Sequence, residues 1–166
     1  MGTQHLALLR ELHASDIKAL VKLIHQTIEV SYSSSYPANA IRFFKDFHSE
    51  KKVLERHRNG LVLVLEKEEG GLIGSGSLVG AEILGVFVHP RYQCRGLGKL
   101  IMGELEKMAT INGLNKVVLN VSLPSKKFYE NLGYAIIIST SIDVGEGQHL
   151  NYWEAEKKLP EERKPE

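Results

Sequence analysis

Residues 81–100 read AEILGVFVHPRYQCRGLGKL, and the build of this stretch decides how the rest of the chain is arranged. Its first eight residues are dense in apolar side chains, the pattern of a strand buried on both faces. From Leu97 the apolar positions Leu97, Leu100, Ile101, Leu105, Met108 and Ala109 recur at helical spacing until Asn112-Gly113, a natural left-handed stop. Strand, loop and helix follow without a gap. The first N–H groups of such a helix have no carbonyl partner inside it, and with the positive end of the helix dipole they form a site for an anion. Gly96 and Gly98 let the backbone approach where a Cβ would collide, and Arg91, Arg95 and Lys99 add charge nearby. A pyrophosphate suits such a loop.

Two better-known phosphate loops do not fit. The P-loop has a glycine five residues before its Gly-Lys and a Ser or Thr after it, and Gln93 and Leu100 occupy those places. The dinucleotide fingerprint needs a third glycine where Ile101 stands, and GSGSLVG at 74–80 has no helix after it. Taken alone, the loop is equally well an ordinary strand-to-helix turn with exposed basic residues.

Outward from this stretch, LVLVLEKEEGGLIGSGSLVG from Leu61 reads as two strands joined by a charged turn at Gly70-Gly71. Upstream, residues 4–10 form a short first strand. Ser15 stands as N-cap before Ile17, Leu20, Val21, Ile24 and Ile28, which predict a helix ending near Ser31. SYSSSYPAN breaks regular structure, and ANAIRFFKDF and SEKKVLERHR follow as shorter helices, the second poorly amphipathic. Downstream, KVVLNVS at 116–122 is a strand and SKKFYENLG a short helix. YAIIISTSIDV and HLNYWEAEKKL, separated by GEGQ, form a final long hairpin.

The chain has 166 residues and 43% hydrophobic content, enough for one domain over 1–159, with PEERKPE as a disordered polar tail over 160–166. Its 21 lysines and arginines nearly balance 20 aspartates and glutamates, so no overall field recruits nucleic acid or anionic membrane. No stretch approaches the ~20 apolar residues that span a bilayer. A single cysteine cannot form an internal disulfide and MGTQHLALLRELHASD lacks signal-peptide character, which fits a cytoplasmic setting. The histidines at 5, 13, 25, 48, 57, 89 and 149 show no metal-ligand spacing, so no metal is expected.

The run Gln93-Cys94-Arg95-Gly96-Leu97-Gly98 resembles the Q-x-x-G-x-G signature of the GNAT superfamily of acetyl-CoA-dependent N-acetyltransferases. It follows VFVHPRY as that family's central strand is followed by V-x-P-x-[YW]. The later SLPSKKFYENLGY resembles the family's S-x-x-A-x-x-F-Y-E-K-x-G-[FY] segment. The resemblance runs from about Leu61 to Leu159. It implies a single-domain α/β (α+β) fold with a mostly antiparallel mixed central sheet, a splayed central strand pair and flanking helices.

It also implies roles. The backbone of Val86, Phe87 and Val88 would bind the pantetheine arm of acetyl-CoA as an added strand, and the amides of Cys94, Arg95, Gly96, Leu97, Gly98 and Lys99 would bind its pyrophosphate. A primary amine, on a small molecule or a peptide, would attack the thioester directly through a tetrahedral intermediate whose oxyanion accepts an N–H near Val88. Tyr129 stands where the family has its general acid, and an ordinary phenol keeps its proton at neutral pH. Ser122 replaces an asparagine that touches the cofactor in many relatives, and Ser125 is a second candidate for that contact. In this frame the Cys94 side chain is free and not a nucleophile.

For the base, Glu82 and Glu66 are the carboxylates to examine, with water relay as the alternative. Tyr32, Tyr36, Phe43 and Phe44, with Asp143, Glu146 and His149 of the final hairpin, are candidates to meet the acceptor. His89, at the exit of the central strand, has no expected catalytic role. A different class of protein, an acyl-CoA-binding regulatory module without turnover, would keep the cleft but not need Tyr129; a third reading is an ATP-binding α/β protein. Edge strands in the last hairpin are compatible with a monomer or a homodimer.

Overall fold

In the computed structural model, which describes residues 7–161, the strands are those the alternating apolar runs call for. They are β1 (Ala7–Glu11), β2 (Leu61–Lys67), β3 (Leu72–Val79), β4 (Glu82–Val88), β5 (Lys116–Ser122), β6 (Ala135–Gly145) and β7 (Gln148–Lys158). Among the described residues they form one sheet in the order β1-β2-β3-β4-β5-β7-β6. Neighbours pair antiparallel except β4 and β5, which are parallel. The last hairpin closes through Glu146 and Gly147, both with positive φ, the two-residue turn whose twist matches its strands. Positions 4–6 of the expected first strand, and 162–166 of the expected tail, lie outside the described residues.

The helices are α1 (Ile17–Tyr32), α2 (Ala38–Phe47), α3 (Glu50–Asn59), α4 (Leu97–Ile111) and α5 (Lys126–Asn131). None is long and apolar enough to cross a membrane. Alternation along β2 divides the core: Val62 and Val64 join Leu20, Ile24, Ile28 and Val53 of α1 and α3 on one face, while Leu63 joins Ile101, Met102 and Leu105 of α4 on the other. The protein is a mixed α/β domain with helices on both faces of the sheet.

Two expectations change. Ser15 does not cap α1; a short 3-10 turn, Ala14–Asp16, precedes it, and the Asp16 carboxylate accepts from the His13 N–H at 2.8 Å while Arg10 holds it from the side at 2.8 Å. Ser15 lies inside that turn, past its N-cap residue His13, and so does not stand at a helix cap position. β4 is not buried on both faces either: Ile83 and Phe87 are buried, and the remaining residues are half-buried because part of the strand borders a gap.

GSGS at 74–77 acquires a structural purpose. A Cβ on Gly76 would meet Ile101 Cγ2 at 2.6 Å and Leu105 Cδ1 at 2.8 Å, so glycine is what lets α4 lie close on β3. Gly76→Ala overpacks this contact and is expected to cost roughly 1–3 kcal/mol. The measurement is urea unfolding, with a lower midpoint at an unchanged m-value.

Candidate active site

β4 and β5 share one register pair, Glu82 with Val118, supported by the Val118 N–H donating to the Ala81 carbonyl at 2.9 Å. Beyond it the strands part. Divergence starts at a bulge against β3 where Gly85 has φ +64° and its carbonyl accepts from the Ser75 hydroxyl at 2.8 Å. Because the His89 N–H bonds the Ile73 carbonyl at 2.8 Å, alternation along the pair turns the Phe87 peptide groups toward β3 and those of Val86 and Val88 toward the gap. Of the three strand residues expected at the cofactor, Val86 turns both peptide groups into the gap, and Val88 its N–H, its carbonyl accepting from Gln93 Nε2 at 2.9 Å. Phe87 contributes its ring.

One cavity, of about 450 Å³, lies between this strand edge and the loop, bordered by Val86, Phe87, Val88, Cys94, Gly96, Leu97, Gly98 and Lys99. The first helical bond of α4 runs from the Leu100 N–H to the Gly96 carbonyl at 3.0 Å, so the N–H groups of Leu97, Gly98 and Lys99 have no partner within the helix. Gly96 has φ +80° and nothing near its missing Cβ, so its glycine serves the turn itself. Gly98 serves packing: a Cβ there would touch the Phe128 ring at 3.0 Å. The Arg95 guanidinium stacks 5.4 Å from the Tyr92 ring and does not border the cavity. Cys94 is exposed, with φ 60°.

A second cavity, of about 230 Å³, lies on the far side of the gap under α2 and the final hairpin. Tyr32, Phe43, Phe44, Phe47, Phe87 and Tyr152 give it aromatic walls, and Glu82, Asn120 and Ser122 are among its polar borders. Tyr32, Val86, Phe87, Ser125 and Tyr129 border both cavities. Ser122 borders only this aromatic one, its hydroxyl 2.7 Å from that of Ser125.

Tyr129 is 8% exposed, packed edge-on against Phe128 and Tyr134. Burial, with a smaller contribution from nearby Tyr32, pushes its phenol above the ordinary range, so the hydroxyl keeps its proton through neutral pH. Tyr32 is raised likewise by burial, partly offset by the Ser122 and Ser125 hydroxyls.

The other candidates separate clearly. Glu82 borders the aromatic cavity, whereas Glu66 is held by Arg10 at 2.8 Å on the β1–β2 side of the sheet. Phe43, Phe44 and Tyr32 are brought to the cavity. Tyr36 is structural, its hydroxyl donating to the Asn151 carbonyl at 2.7 Å and accepting from the Leu123 N–H at 2.8 Å. Asp143, Glu146 and His149 lie off the cavity; from their hairpin, Ile142, Leu150 and Tyr152 line it instead. His89 accepts from the Arg91 N–H at 3.1 Å and borders neither cavity.

Residues 32–147 match the acetyltransferase (GNAT) domain. The chain belongs to the GNAT family. It is 34% identical over 92 residues to glucosamine 6-phosphate N-acetyltransferase of Trypanosoma brucei brucei, a match covering 48% of this chain and 63% of that relative. The chain thus spans under two thirds of the curated relative it matches. Among solved structures, a GCN5-related N-acetyltransferase of Rhodopseudomonas palustris superposes with TM-score 0.83 at 22% identity, covering 96% of this chain and 99% of that one. PaiA N-acetyltransferase of Thermoplasma acidophilum, in complex with coenzyme A, gives 0.73 at 20%, covering 93% and 99%. At these identities the superpositions establish the shared fold.

Set in this family, the first residue of the Q-x-x-G-x-G run has a visible job. Gln93 Nε2 donates to the Val88 carbonyl at 2.9 Å and lies 3.3 Å from the Ser31 hydroxyl, tying the loop to the splayed strand and to α1. Sequence reading also missed His48 and Arg56, which are buried beside the aromatic cavity and joined Nδ1 to guanidinium at 2.8 Å. Burial, then the charges of Arg56 and His25, push the His48 imidazole well below the usual histidine range. The available signal was the poor amphipathicity of residues 49–58, whose buried face contains Val53 and Arg56. Gln93→Ala is expected to weaken binding of coenzyme A by roughly five- to tenfold, the worth of one hydrogen bond, at little cost in thermal stability. Calorimetric titration with coenzyme A, beside a melting curve, makes the comparison.

Proposed function

We propose that the protein transfers the acetyl group of acetyl-CoA to a primary amine. The observation that carries this reading is the meeting of two cavities at the unpaired edge of β4, with Tyr129 bordering both. The loop-side cavity fits coenzyme A: free amides at the start of α4 and the Lys99 side chain suit its pyrophosphate, and the open peptide groups of Val86 suit strand-like pairing with the pantetheine amides. Ser125, which borders both cavities, is better placed than Ser122 to reach the cofactor. The aromatic cavity receives the amine.

The amine nitrogen, as the free base, attacks the thioester carbon. A C–N bond forms, the C–S bond breaks, and the electron pair of that bond leaves with sulfur. Tyr129 gives its phenolic proton to the sulfur, and the ammonium proton of the product departs to water or, through water, to Glu82. The Val88 N–H, turned into the gap, is the donor available to the carbonyl oxygen as it gains charge.

Raising the Tyr129 phenol extends the range over which its acid form persists, because a phenol is neutral below its pKa. Activity is therefore expected to show no alkaline loss attributable to this group below about pH 10. Tyr129→Phe keeps the ring packing and removes the proton; turnover should fall by roughly a hundredfold with coenzyme A affinity unchanged. Thiol release from acetyl-CoA and calorimetry measure the two quantities. Equal turnover in the variant would remove Tyr129 from the acid role, and binding of acetyl-CoA without thiol release on any amine would leave a binding module.

A further inference from the structure

The aromatic cavity contains a polar arrangement that acetyl transfer does not itself require. Arg56 is 7% exposed, and a guanidinium so buried ordinarily faces a carboxylate. Its sequence neighbour Glu55 pairs instead with Lys52, at 3.7 Å, and Glu82 acts on the guanidinium through its charge without an ion-pair contact. Arg56 directs one donor to Nδ1 of His48 at 2.8 Å and another to the Phe47 carbonyl at 2.7 Å. A guanidinium only donates, so His48 Nδ1 must present a lone pair. The ring proton therefore sits on Nε2.

The His48 ring is 5% exposed and fixed edge-on against Phe47 and Phe87, with centroids 5.1 Å and 5.0 Å away. Its Nε2 has no side-chain or backbone partner among the described residues, yet the buried polar atom sealed without a partner is Tyr134 Oη, not this one. The aromatic cavity is the space that His48 borders. The result is a neutral N–H donor of fixed tautomer at the border of an aromatic-walled pocket whose other polar borders include Glu82, Asn120, Ser122 and Ser125.

The remaining borders narrow the ligand that meets it. Among the described residues no lysine or arginine lines the cavity, and Glu82 is its carboxylate. A sugar phosphate would place a dianion against rings and a like charge without a contacting cation, at a high desolvation cost. An aromatic amine instead finds face and edge contacts on the walls, and its ammonium form is attracted by Glu82. Resting on the acetyl-transfer reading above, we propose that the acceptor is an arylalkylamine carrying a neutral ring oxygen that accepts the His48 Nε2–H. His48 then determines specificity, and Arg56 is the positioning residue that fixes its tautomer.

The test measures thiol release from acetyl-CoA with phenethylamine, meta- and para-tyramine and glucosamine 6-phosphate, and nitrogen NMR of the histidine rings. The wild type is expected to accept the aromatic amines, to favour one tyramine over phenethylamine by roughly five- to tenfold in kcat/KM, and to reject the sugar phosphate. In His48→Phe the ratio of tyramine to phenethylamine should fall to about one, expressed in KM. NMR should show His48 as the Nε2–H tautomer, with its Nε2 signal displaced by tyramine, and both tautomers in Arg56→Met. Should these variants not fold, the wild-type tautomer and its response to tyramine decide the matter. The inference is overturned by an Nδ1–H or doubly protonated His48, by no tyramine preference, or by acetylation of glucosamine 6-phosphate at a comparable rate, outcomes that leave acetyl transfer standing. Displacement of the His48 signal by tyramine without thiol release from any amine would overturn the transfer reading and leave an arylalkylamine-binding site.

Discussion

The structure depends on one place where hydrogen bonding stops. β4 and β5 pair at Glu82 and Val118 and nowhere further along, so a sheet that is continuous on both sides opens in its middle. Unpaired peptide groups in a protein interior are costly, and a gap of this kind persists only if its borders are held from behind. Here β3 secures β4 on one side, while β7 secures β5 over its whole length from Lys116 to Ser122. Gln93 occupies the Val88 carbonyl, one of the groups left free. The two cavities are the two ends of this interruption, and their chemistry follows from what each end meets.

At one end stand backbone donors and glycines; at the other, rings and a short polar chain. The first end was legible in the sequence because its geometry is set by covalent order. A strand running straight into a helix through Gln93, Gly96 and Gly98 needs no distant residue to leave the first N–H groups of α4 without a helical partner. Even so, the two glycines serve different purposes: Gly96 for its backbone angle, Gly98 for the space taken by Phe128. Periodicity reports neither, since the Phe128 ring arrives from a segment thirty residues away.

The second end was legible only in part, because it is assembled from α1, α2, β4, β5, α5, β6 and β7. Phe43 and Phe44 could be assigned to it from the order of elements, but the charged tip of the final hairpin misled. Asp143 is engaged locally, accepting from the Gly145 N–H at 2.8 Å, and the apolar Ile142 and Leu150 further back face the cavity. One residue explains two further differences: Arg10 bonds both Asp16 and Glu66. It braces the 3-10 turn that contains Ser15 and withdraws Glu66 from consideration as a base. Such a bridge between a strand, a turn and a second strand is invisible to any local pattern.

The partition between the cavities is made of side chains and strand, not of a separate element. Tyr32, Phe87 and Tyr129 each present one surface to the loop side and another to the ring-lined side. A ligand that moves any of these rings on one side alters the contacts offered on the other. Thermodynamic linkage makes that influence mutual: whatever factor the first ligand imposes on the affinity for the second, the second returns to the first. The shared wall is therefore a coupling element, through which ligands in the two cavities would sense one another by way of three aromatic rings.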